Sequence, residues 1–185
     1  MEMMVVERLP AEEISALIES SHPDIHAMVA YWHRKAGGRA MPRRADIDPA
    51  ELKPFLPRIT LVDVVPDPRR FVYRLVGTEE VAARGRDPTG LAVADGYFGP
   101  NAEAALEHYE YVRLYKEPYC YRGKFEAPDR VIEEEDVIFL PLSEDGETVN
   151  MILVFYFDYR FQPRVEDGSL LLKYRSRRDT GDSAD

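Results

Sequence analysis

Apolar residues recur at helical spacing in the first part of the chain and at strand spacing in the last. Behind Pro10, Ile14, Leu17 and Ile18 form one stripe; behind Pro23, Ile25, Met28, Val29 and Trp32 form a second at i, i+3, i+4 and i+7. Ser20-Ser21 separates these two helices, and Gly37-Gly38 stops the second. A further turn of helix is expected at Asp48-Pro49-Ala50-Glu51-Leu52, capped by Asp48 and ended by Pro54.

From Ile59 the period shortens. Segments 59–65 and 71–77 are β-branched and aromatic, with Pro66-Asp67-Pro68-Arg69-Arg70 as the turn of an antiparallel pair. A short helix follows at 78–83, opened by Thr78 and closed by Gly85, then a segment, 86–100, broken by prolines and glycines. Asn101 caps a helix running to about Lys116, where Pro118 stops it. Three strands complete the pattern at 119–126, 132–142 and 148–159, with Asp145-Gly146 as the turn between the last two. Helices and strands segregated in this way predict an α+β fold with an antiparallel sheet.

Polar residues alternate with apolar ones in a strand that has one wet face, yet Met151 to Phe157 is apolar throughout. Both faces of the sheet are therefore covered. The helix from Asn101 supplies one cover through Ala105, Tyr109, Val112 and Tyr115, and the N-terminal helices supply the other, from the same chain or from a partner.

The chain has 185 residues and a formal charge of −10. Such a balance argues against a broad grip on nucleic acid or an anionic membrane. Its longest apolar run is far shorter than the roughly twenty residues a membrane helix needs. A single cysteine, Cys120, and an N-terminus without an export signal fit a cytoplasmic protein. HExxH, CxxC, P-loop and GxSxG motifs are all missing, so the motifs nominate no catalytic or metal-binding set and the expectation is a non-enzyme. In the run Glu133-Glu134-Glu135-Asp136 successive carboxylates alternate sides of a strand, which reads as a solvated hairpin end and not as a calcium loop.

Several strings together resemble the PAS fold, and in particular a family of small bacterial stand-alone PAS-domain proteins. They are Trp32, Pro42-Arg43-Arg44-Ala45-Asp46-Ile47-Asp48-Pro49, Phe71-Val72-Tyr73-Arg74-Leu75-Val76-Gly77-Thr78 and Gly85-Arg86-Asp87-Pro88-Thr89-Gly90. The resemblance, over about 24–161, implies a five-stranded antiparallel sheet with connecting helices around a small cavity. It divides the chain into an N-terminal helical extension (1–37), a PAS-like domain (38–162) and a partly disordered tail (163–185). It also implies a sensory or regulatory protein that binds a small molecule in its core, or a ligand-free dimeric adaptor. In multidomain PAS proteins an Asp-x-Thr string hands the signal to an effector. Here Asp158-Tyr159-Arg160 lacks the Thr and little chain follows, so output is expected in trans through a signalling partner protein.

Candidate ligand-binding residues are Tyr73, Arg74, His108, Tyr111, Tyr115 and Tyr119. Tyrosines 109, 111, 115, 119 and 121 offer apolar bodies with one hydroxyl each, suited to a pocket or to a core margin. Arg74, inside an apolar strand, either pairs with Asp63 or grips an anion. His108 points toward the apolar side of its helix, and haem-binding PAS sensors use a His from the comparable helix; a half-buried structural His is the plainer reading. Cys120, on a strand, lacks the helical setting of a flavin-adduct cysteine, and no cofactor is assigned. Ile25, Met28, Val29 and Trp32 are the expected homodimer interface.

Overall fold

The computed structural model describes residues 6–97, 101–127, 130–157 and 161–163; of 124–127, 130–134 and 161–163 it gives the backbone course alone. The elements are α1 (Ala11–Glu19), α2 (Pro23–Ala36), β1 (Ile59–Val64), β2 (Phe71–Val76), α3 (Thr78–Arg84), α4 (Val93–Gly96), α5 (Ala102–Tyr115), β3 (Tyr119–Ala127), β4 (Arg130–Leu142), β5 (Met151–Phe157) and β6 (Phe161–Pro163). The strands form an antiparallel sheet in the order β2-β1-β5-β4-β3, and the short β6 continues along β4 beyond the end of β5. This is the expected α+β, PAS-like five-stranded sheet with flanking helices.

Helix boundaries follow local chemistry. The His22 ring nitrogen accepts from the Asp24 N–H at 3.1 Å, Pro23 occupies the first turn, and Gly37 ends α2 at φ 57. At the start of α5 the Asn101 side chain accepts from the Ala104 N–H at 3.0 Å. Thr78 is the first residue of α3 and makes no side-chain cap; Gly77 holds that position instead. A Cβ on Gly77 would lie 2.3 Å from the Pro57 carbonyl oxygen, so only glycine lets the chain pass there.

Some elements depart from expectation. Asp48 accepts from the Ala50 N–H at 2.8 Å, but the segment before Pro54 stays a run of turns. The irregular stretch after Gly85 contains α4, a single turn anchored by fully buried Val93 and too short to show a period. Thr148 belongs to the β4–β5 turn because its N–H is held by the Asp145 carboxylate at 2.6 Å, so β5 starts at Met151. The tail from 164 onward and the Asp158-Tyr159-Arg160 string lie outside the described residues.

Register divides the sheet into two faces. On the first, β5 presents Leu153, Phe155 and Phe157, and β4 presents Asp136, Ile138 and Leu140. Helices α1 and α2 cover this face. Ile25 and Met28 are fully buried, Trp32 is 4% exposed with its indole N–H donated to the Pro141 carbonyl at 2.7 Å, and Val29 packs at the margin. Asp136 ties the helices down, accepting from Arg122 Nε at 2.6 Å and from the His22 N–H at 3.1 Å. The stripe expected to form a homodimer interface is therefore spent within its own chain. Its partner is the doubly apolar sheet, which needs this cover whatever the oligomeric state.

Candidate functional site

On the second face β5 presents Ile152, Val154 and Tyr156, and β4 presents Glu135, Val137 and Phe139. The register adds Thr60 and Val62 from β1, Tyr73 from β2, and Tyr119 and Tyr121 from β3. Helices α3, α4 and α5 close over them. Phe71, Tyr109 and Phe139 pack at 5.1–5.3 Å and fill one end. The other end is polar.

There α3 buries Glu80, 1% exposed, with Arg84 one turn later; Nη2 and Oε2 are 3.2 Å apart. The Arg84 guanidinium lies 5.2 Å from the centre of the Tyr156 ring. Burial raises the Glu135 carboxyl to about 7, Arg84 opposing the rise and Glu80 adding to it. Burial likewise raises the phenols of Tyr73, Tyr109 and Tyr156, and takes Tyr97 to about 12 with Glu135 contributing. Thr60, fully buried on the same face, has a hydroxyl with no hydrogen-bond partner among the described residues. Two carboxyls, a guanidinium, four phenols and an unmatched hydroxyl thus converge in one interior.

A concavity of about 230 Å³ lies at the beginning of β3, lined by Val6, Glu7, Leu9, Glu107, His108, Tyr111 and Tyr119. The N-terminal segment is strapped across it. Glu117 accepts from Arg8 at 3.2 and 2.8 Å and from the Tyr111 hydroxyl at 2.8 Å, while the Tyr115 hydroxyl donates to the Val6 carbonyl at 2.7 Å. His108 packs against Tyr119, Tyr121 and Phe139 at 4.5–5.5 Å, and burial lowers its pKa to about 4, leaving a neutral ring.

The structure therefore brings His108, Tyr111 and Tyr119 together, with Tyr115 beside them. Tyr73 belongs to the inner polar cluster instead. Arg74 reaches neither site: it is exposed and pairs with Asp63 at 3.1 Å. Haem does not fit at His108, because three rings pack that imidazole and the adjoining 230 Å³ is too small for a porphyrin. Cys120 lies on the helix-covered face, its sulfur 3.4 Å from the Ser21 hydroxyl and its pKa raised by burial, so it faces away from both sites.

Sequence reasoning missed Glu80, Arg84, Glu135, Tyr97, Tyr156 and Thr60. Glu80 and Arg84 look like a surface i,i+4 pair, and their burial is set by distant strands. Glu135 sits in the carboxylate run read as solvated; strand alternation instead sends it to the inner face and buried Asp136 to the outer. No group of three or more metal-ligating side chains occurs among the described residues, nor does any helix among them have the length and apolarity to cross a membrane.

A family model described as a PAS domain matches residues 20–156. A solved structure of a light-oxygen-voltage domain, concerned with a flavin analogue, is similar over 63% of this chain and 84% of that one, at 13% identity and a TM-score of 0.45. No curated protein sequence matches the chain.

Proposed function

The chain belongs to the PAS domain family, whose members point to a sensory or regulatory role, and from that premise we propose a non-catalytic sensor that holds a small molecule in its core. On this reading the ligand lies on the inner face, against Glu80, Arg84, Glu135, Tyr73, Tyr97 and Tyr156, and occupancy changes association with a signalling partner protein in the cytoplasm. The observation that supports it is the interior itself. Ionisable groups buried this deeply cost stability, and a fully buried hydroxyl without a partner among the described residues adds to that cost. Tyrosine rings and carboxyl groups together suit a flat, hydrogen-bonding molecule.

A second reading, a ligand-free homodimeric adaptor, draws support from the other end of the core, where Phe71, Tyr109 and Phe139 fill the space with the chain's own rings. One experiment separates the two. Protein purified without denaturation, then unfolded and analysed by mass spectrometry, is expected to release a defined small molecule at near-stoichiometric yield. Glu135→Gln with Tyr73→Phe should release less than a fifth as much. Empty wild-type protein, in material prepared directly from cells at low dilution, supports the adaptor and overturns the sensor.

A further inference from the structure

The strapped concavity at the beginning of β3 carries chemistry of its own, unlike that of the inner face. Its lining combines three aromatic side chains, neutral His108, Tyr111 and Tyr119, with apolar Val6 and Leu9. Its rim is acidic. Glu7 and Glu107 line the opening, and Glu13 acts electrostatically on Tyr119 together with Glu107. Among the described residues none of these three carboxylates has an ion-pair partner, while Arg8, next to Glu7 in the chain, is already committed to Glu117. Arg8 also lies 5.6 Å from the centre of the Tyr115 ring, so this aromatic edge already carries one organic cation supplied by the chain.

Aromatic side chains beside unneutralised carboxylates suit an ammonium group. An anion would meet the carboxylates of Glu7 and Glu107, and a neutral apolar molecule would leave them unused. The volume excludes large molecules: 230 Å³ is that of about eight waters, enough for a compact headgroup. We propose that this pocket is a second binding site, apart from the Glu80, Arg84 and Glu135 cluster, for a compact alkylammonium cation. The net charge of −10 favours arrival of such a ligand over that of an anion.

Choline serves as the probe, with 3,3-dimethylbutan-1-ol as its uncharged isostere. His108 is one of only four histidines, so its imidazole proton signals, assigned through His108→Gln, report occupancy by NMR. Choline is expected to shift them saturably, with affinity at least tenfold above that of the alcohol. Glu7→Gln with Glu107→Gln should weaken choline at least fivefold. Both residues are exposed, and unchanged circular dichroism would establish that the variant folds. Glu135→Gln, on the inner face, should leave choline binding unaltered. Absence of a saturable shift, equal response to the alcohol, or indifference to the double substitution would each overturn the proposal, whatever is found for the inner-face ligand.

Discussion

Burial displaces Glu135 and His108 in ways that make them opposite contributors to the pH dependence of stability. Glu135 moves from an ordinary 4.5 to about 7. At about 1.4 kcal/mol per pH unit, that corresponds to about 3 kcal/mol of stability, fully present below pH 4.5 and lost as pH rises through 7. His108 moves from 6.5 to about 4. Its contribution, again about 3 kcal/mol, is present above pH 6.5 and lost as pH falls through 4. Between pH 4.5 and 6.5 the two slopes cancel. The perturbations are Glu135→Gln and His108→Gln, each followed by urea unfolding monitored by circular dichroism in steps from pH 4 to 8. Relative to wild type, Glu135→Gln should gain up to about 3 kcal/mol toward pH 8, and His108→Gln should gain a similar amount toward pH 4. Carboxylates remote from both residues contribute equally to all three proteins and drop out of the differences, whereas Glu80 is coupled to Glu135 and is part of the same change. Difference curves that stay flat, or slope the other way, would refute the burial argument for that residue.

Two further outcomes test the packing. Trp32→Phe, which leaves the Pro141 carbonyl without its indole donor, should cost about 2 kcal/mol in urea unfolding with no change of mass by light scattering; a lower mass at unaltered stability would place the α2 stripe between subunits after all. Gly77→Ala would drive a methyl group into the Pro57 carbonyl and should cost about 2 kcal/mol or more, whereas a neutral result would mean that the turn before α3 yields freely.

Where adjacent residues settle an element, the sequence was readable. Pro23 with Gly37, Asn101 with Pro118, and the unbroken apolar run of β5 each specify a boundary or a two-sided burial through local chemistry. Whether a charged side chain turns inward is decided by long-range register. Glu135 and Asp136 are neighbours with the same chemistry, yet one faces α3 and the other faces α2 because β4 alternates between them. The same cause hid Glu80 and Arg84. His108, Tyr111 and Tyr119 were legible as a group because two are one turn apart on α5 and the third opens the next strand. Arg74 was nominated on similar grounds, but β2 directs it outward, where Asp63 waits on β1. The α2 stripe packs on its own sheet for a different reason: periodicity identifies a face that must be covered and says nothing about whose atoms cover it.

The sheet also sorts the chromophores. Trp32, the chain's sole tryptophan, is seated on the outer face against β4, while Tyr73, Tyr109 and Tyr156 are gathered on the opposite side. Selective excitation of indole fluorescence thus reports the seating of α2, on the side of the sheet opposite the interior that α3 and α5 enclose. A molecule entering that interior reaches the tryptophan only by deforming the strands between them, so a change in indole emission upon its addition would measure mechanical transmission through the sheet.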